Sequence, residues 1–174
     1  MVFRKASAAD ISAVEEIYND IHTAEEKGGL MTGWIRGVYP TRGTAEGALA
    51  RGELFVLENE DRIVSAGIIN QAQAEAYAQG RWAHELPKEQ VCVLHTLVVS
   101  PAASKKGYGK AFVCFYEDYA RETGCKACRM DTLERNSVAR AMYRKLGYAE
   151  VGIVGTELQG LSNVSMVLLE KYLG

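Results

Sequence analysis

Gly107 and Gly109 stand where an apolar run ends and a helical pattern begins, with Lys105, Lys106 and Lys110 around them. The first amides of a helix have no partner inside it and present partial positive charge outward. Glycine has no Cβ, so an anion can approach the backbone closely. The segment Val98-Val99-Ser100-Pro101-Ala102-Ala103-Ser104-Lys105-Lys106-Gly107-Tyr108-Gly109-Lys110-Ala111 is therefore suited to a phosphate or pyrophosphate. It is not a Walker A loop: Gly109-Lys110 is followed by Ala111, and Ser104 occupies the place of the first glycine. As a dinucleotide fingerprint it lacks the third glycine and comes late in the chain. A glycine-rich turn that only caps a helix is the plainer alternative. Cys125-Lys126-Ala127-Cys128 has redox or zinc spacing. A zinc ribbon needs a second pair, which is missing. A redox pair opens a helix, whereas Gly124 closes one here and a strand follows. That spacing is read as structural, and no metal site is expected.

The elements that must position these groups follow from periodicity. Phe3–Ala6 is a short strand. Asp10 opens a helix carrying Ile11, Val14, Ile17, Tyr18 and Ile21. A stretch rich in glycine and aromatics, 28–43, leads to a short helix over Thr44–Ala50. Glu53–Glu58 and Arg62–Asn70 are strands joined by the turn Asn59-Glu60-Asp61. The connection Gln71–Gln90 is longer than the ~2–5 residues of most hairpin loops, so it is functional or mobile. Val91–Val99 is an almost wholly apolar strand and Gly109–Thr123 a helix. Ala127–Thr132 is a strand, and Asn136 caps a helix closed by Gly147. Tyr148–Val154 and Ser162–Lys171 are the last two strands. The order βααβββαβαββ indicates a mixed α/β sheet with one parallel crossover.

With 174 residues, 48% of them apolar, the chain suits one domain, 1–174. A net charge of −2 disfavours nucleic-acid binding, so any anion must be held by a local arrangement. No apolar run approaches the ~18 residues of a membrane span. The N-terminal residues do not read as a signal peptide, and a cytoplasmic chain with reduced thiols is expected. Exposed strand edges would allow a homodimer.

Ser104-Lys105-Lys106-Gly107-Tyr108-Gly109 resembles the pyrophosphate loop of the GNAT superfamily of acetyl-coenzyme A-dependent N-acetyltransferases. That loop has Gln or Arg, two free positions, Gly, a free position, then Gly or Ala. Ser104 departs from it, which costs a side-chain contact but keeps the backbone amides. The run from Asp131 through Asn136, Ala139 and Tyr143 to Leu146-Gly147-Tyr148 is similar to the superfamily's later motif. The resemblance covers 91–154 well and the first half in element order only. It implies a central twisted mixed sheet flanked by helices, with strands around 91–99 and 127–132 splayed apart. It also implies that Leu97, Val98 and Val99 pair with the pantetheine arm, and that Ser104 to Ala111 hold the pyrophosphate. Asn136, Ala139 and Tyr143 share one helix face. Ala139 leaves room for the cofactor, and Asn136 either bonds a pantetheine amide or serves only as the N-cap.

The implied reaction is direct attack of a primary amine on the thioester, with acetyl-CoA as donor. A backbone amide near Leu97 or Val98 would stabilise the oxyanion. Tyr143, with an ordinary pKa of ~10, would protonate the departing thiolate, or else is a core tyrosine. His95 would deprotonate the acceptor, or else is a buried structural histidine; His84 and Glu85 are weaker candidates. Trp34 and Tyr39 wall the acceptor pocket or pack on the core, and Tyr77 and Trp82 have a lesser claim. A small-molecule amine is the expected acceptor. A protein or peptide acceptor, or a non-catalytic acyl-CoA sensor, are the alternatives.

Overall fold

Seven strands run in the order β1-β2-β3-β4-β5-β7-β6 in a computed structural model that describes residues 1–158 and 161–174. They are β1 (Val2–Lys5), β2 (Leu54–Asn59), β3 (Arg62–Asn70), β4 (Val91–Val99), β5 (Ala127–Leu133), β6 (Ala149–Leu158) and β7 (Leu161–Tyr172). The helices are α1 (Ile11–Glu26), α2 (Arg42–Ala50), α3 (Tyr108–Glu122) and α4 (Ser137–Lys145). β4 and β5 are parallel and the other described pairings antiparallel, which is the mixed α/β sheet that the element order indicates. The chain divides into two compact units, residues 1–69 with 95–115 and residues 70–94 with 116–174.

In the first unit, α1 lays Ile11, Val14, Ile17, Tyr18 and Ile21 on Leu54, Val56, Ala66, Ile68 and Val98. Burying side chains of this size contributes ~1.5–3 kcal/mol each. Glu60 and Asp61 both have positive φ (51° and 58°), the conformation of a tight hairpin turn that follows the sheet twist. α2 starts at Arg42, two residues before the start the sequence suggests. Thr41 takes the cap: its hydroxyl accepts from the Thr44 N–H at 3.4 Å, and the Thr44 hydroxyl accepts from the Thr41 N–H at 3.0 Å. Phe3 stacks on Phe115 at 4.7 Å between ring centroids.

In the second unit, β5 lies between β4 and β7, with Arg129 directly opposite Glu170. One face holds Tyr77, Val91, Val93, Leu133, Val154, Met166 and Leu168. The connection 71–90 supplies Tyr77 to this core and packs Trp82 and Leu86 against it. It is thus a packed cover with 3-10 turns at Glu75–Gln79 and Lys88–Gln90. β6 and β7 extend beyond the sequence reading, to Leu158 and from Leu161 to Tyr172. Among the described residues, no helix is long and apolar enough to cross a membrane.

Candidate active site

The loop between β4 and α3 is shaped by its backbone. Lys105 and Gly107 both have positive φ, 62° and 83°, so successive amides turn toward a common concavity. The helical ladder starts with Ala111 N–H donating to the Gly107 carbonyl at 2.9 Å. The amides of Tyr108, Gly109 and Lys110 therefore precede that ladder. α3 begins at Tyr108, one residue earlier than its pattern suggests. A Cβ built on Gly107 meets nothing within 4 Å, so the space over this turn is open. Ser104, Lys105, Lys106 and Lys110 are exposed, and Tyr108, Gly109 and Ala111 half-buried. Free amides, open space and three ammonium groups fit a pyrophosphate.

The part of β4 in the same unit has a direction. The Val98 carbonyl accepts from the Ser65 hydroxyl at 2.5 Å, and Ser100 N–H donates to the Val64 carbonyl at 2.9 Å. Both bonds point toward β3. Backbone groups alternate along a strand, so those of Leu97 and Val99 point away from β3. Of the three residues read as pantetheine partners, Val98 has its carbonyl turned to β3 and its side chain in the core. Just before them, Thr96 has φ 51°, which is strained for a β-branched residue. Its hydroxyl is bonded to that of Tyr39. Trp34 meets Tyr39 edge-on at 5.9 Å and packs against the α1 core, so the two aromatics named from sequence do come together. His95 is half-buried beside Thr96.

In the second unit Asn136 is the N-cap of α4, its Oδ1 accepting from the Ala139 N–H at 3.2 Å. Ala139 is half-buried one turn on, and Tyr143 is buried. Burial pushes the Tyr143 phenol well above its ordinary pKa, and the charge of Asp131 adds to this. Asp131 lies on β5, and its Oδ2 accepts from the Tyr77 hydroxyl at 2.8 Å. The site chemistry read from sequence omits Asp131. A signal for it was present: Arg129 and Asp131 alternate along a strand that is otherwise mostly apolar, which puts both charges on one face.

Arg129 and Glu170 form a buried ion pair, with Nη2 3.0 Å from Oε1. The pair binds the connection down. Arg129 donates to the Gln73 side chain and to the His84 carbonyl, each at 2.8 Å, and its guanidinium lies 4.0 Å from the Trp82 ring centre. Glu170 Oε2 accepts from the Ala83 N–H at 3.0 Å. His84 and Trp82 are thus placed in this clasp; Glu85 is exposed. The cysteines are free, and Cys125 and Cys128 are buried. Burial pushes the Cys128 thiol up to about 12, opposite to the lowered pKa of a redox thiol. Among the described residues no three side chains are grouped to hold a metal ion.

Residues 13–148 match the Acetyltransferase (GNAT) family, and the chain belongs to that family. An uncharacterized N-acetyltransferase of Bacillus subtilis, YhfO, is 34% identical over 62 residues, 36% of this chain and 42% of that protein. A GNAT-family acetyltransferase of Streptococcus agalactiae superposes with a TM-score of 0.82 at 19% identity, covering 99% of this chain and 95% of that one. The yncA acetyltransferase of Salmonella typhimurium, solved with acetyl-CoA, has a TM-score of 0.69 at 18% identity, covering 100% and 94%.

Proposed function

We propose that residues 1–174 act as one N-acetyltransferase domain that moves the acetyl group of acetyl-CoA to the primary amine of a small molecule. Acetyl-CoA supplies an activated thioester. Ser104 to Ala111 hold its pyrophosphate through backbone amides and the ammonium groups of Lys105, Lys106 and Lys110. Leu97 and Val99 offer their backbone groups to the pantetheine arm, as Val98 cannot with its carbonyl. Asn136 donates to the arm from its amide nitrogen while its oxygen caps α4, and Ala139 leaves the space beside it.

An alkylammonium with a pKa near ~10 must lose a proton before it attacks. His95 takes that proton. The free amine forms a bond to the carbonyl carbon, and the Leu97 N–H stabilises the oxyanion. The carbon–sulfur bond breaks, the Tyr143 hydroxyl gives its proton to the thiolate, and the nitrogen of the new amide gives up its extra proton, which restores the phenol. Trp34 and Tyr39 wall the acceptor. The observation that carries the small acceptor is the cover formed by 71–90: Tyr77 and Trp82 fill a sheet face on which an extended peptide could otherwise lie. The protein works in the cytoplasm, and its edge strands leave room for a homodimer.

Thiol release from acetyl-CoA, measured over a panel of small amines and of peptide N-termini, tests this reading. Turnover of a small primary amine is expected. Turnover of peptides alone would transfer the activity to the protein-modifying class. Tight acetyl-CoA binding with no turnover would make the chain a sensor. The loop has its own check: Gly107→Val forces a β-branched side chain into φ 83° and raises the KM for acetyl-CoA roughly tenfold, with acceptor KM little changed. For the base, His95→Ala loses the acid-side break near neutral pH; a profile that keeps it removes His95 from the mechanism.

A further inference from the structure

β4 pairs in register with β5 at Val91, Cys92 and Val93, yet three residues on Thr96 has φ 51° inside the same strand. A β-branched residue in the left-handed region is strained and persists only where its surroundings hold it. Thr96 is buried, at 8% exposure, and its hydroxyl is bonded to that of Tyr39, 57 residues earlier. Tyr39 in turn has little freedom. Its N–H donates to the Ile35 carbonyl at 3.0 Å. The next carbonyl, that of Pro40, accepts from Nε2 of the buried His22, also at 3.0 Å. Trp34 stands edge-on to the Tyr39 ring at 5.9 Å. These contacts fix the phenol where its hydroxyl meets Thr96.

We propose that Tyr39 is a positioning residue: its hydroxyl holds Thr96 in the left-handed region and so aims the Leu97 N–H at the oxyanion. The inference rests on the acetyl-transfer reading above, in which that N–H stabilises the oxyanion. A residue's φ sets the direction of the peptide that follows it relative to the peptide before it. Turning Thr96 back to an extended φ would rotate the 96–97 peptide and with it the Leu97 N–H. A β-branched side chain is stiff at χ1, so a bond to the Thr96 hydroxyl restrains its backbone directly. The next residue is held separately: the Val98 carbonyl accepts from the Ser65 hydroxyl, and the Val98 side chain lies in the core. Tyr39 thus gives its ring to the acceptor wall and its hydroxyl to the strand. An oxyanion donor works only when it points at the place where charge develops, so the hydroxyl acts on the chemical step and not on acceptor binding.

The test uses the full chain and an amine that turns over in the panel. Tyr39→Phe keeps the ring and removes only the hydroxyl. Its kcat is expected to fall about tenfold, less than the ~10²–10³-fold cost of losing an oxyanion donor outright, with the acceptor KM within about twofold of the wild type. In the same variant the 13C chemical shifts of the Thr96 Cα and Cβ are expected to leave the left-handed range. Glycine takes positive φ without a Cβ penalty, so adding Thr96→Gly to Tyr39→Phe should raise kcat again by about threefold or more. A residue that only walled the acceptor, or only held the fold, would gain nothing from that glycine. An unchanged kcat or an unmoved Thr96 in Tyr39→Phe, or a double variant no faster than Tyr39→Phe, overturns the proposal. Should Tyr39→Phe fail to fold, Thr96→Val decides, since it keeps the branched shape and removes the same bond. Its kcat falls about tenfold at an unchanged acceptor KM; an unchanged kcat overturns the proposal. Absence of turnover in the wild type would remove the acetyl-transfer reading and the proposal with it, whereas full kcat in Tyr39→Phe removes the proposal alone.

Discussion

Tyr143→Phe lowers kcat by about 10²-fold or more while the KM for acetyl-CoA changes little. That is the size expected when a positioned proton donor is lost and its ring is kept. The phenol is buried, and its pKa is raised first by burial and then by Asp131, so it carries its proton throughout the neutral range. A raised pKa makes a weaker acid, but it also ensures that the donor is fully protonated when the thiolate develops. In the wild type no loss of kcat from ionised Tyr143 is expected on the alkaline side up to pH ~10. Steady-state rates with saturating acceptor, joined to a single-turnover measurement, check the effect. An unchanged rate for the chemical step would remove the phenol from the mechanism.

Glu170→Gln is the most damaging single change expected for stability. Arg129 and Glu170 have only 5% and 3% of their side chains exposed, so the substitution leaves a guanidinium buried without its counter-charge. Breaking such a pair costs about 3–5 kcal/mol. Domains have only ~5–15 kcal/mol of net stability, so much of the total is at stake. The same carboxylate holds Ala83 and lies opposite Arg129, which holds Gln73 and His84. The connection 71–90 should therefore become sensitive to protease before the rest of the chain. Replacing both partners, Arg129→Met with Glu170→Leu, should recover a large part of the loss, since two desolvated charges are removed together. Urea denaturation of the single and double variants measures this. A loss below ~1 kcal/mol in the single variant would show that the pair does not secure the cover.

Local patterns made several elements legible. The apolar spacing of Ile11, Val14, Ile17, Tyr18 and Ile21 fixes the buried face of α1, because helical periodicity depends only on neighbours three and four apart. Asn136 was readable as a cap, and its side chain does accept from the Ala139 N–H. The departures were equally physical. α2 starts early because Thr41 and Thr44 cap each other, a pairing that the turn before the helix determines. The connection 71–90 read as loop because it lacks periodicity. It is nevertheless ordered against the sheet by Tyr77, Trp82 and the buried ion pair.

The sequence by itself determined the family, since the resemblance lies in contiguous motifs: Ser104 to Gly109, and Asn136, Ala139 and Tyr143. Glycine's freedom at positive φ and the free amides of a helix start are local properties that need no distant partner. Only the tertiary structure decided which distant side chains meet. It joined Tyr39 to Thr96 across 57 residues and Tyr77 to Asp131 across 54. It also turned the Val98 carbonyl toward Ser65 and left Leu97 and Val99 facing the other way. Such pairings follow from strand register and from the path of the connecting chain. Both are set by how the whole sheet buries its apolar surface, and no stretch of neighbouring residues encodes them.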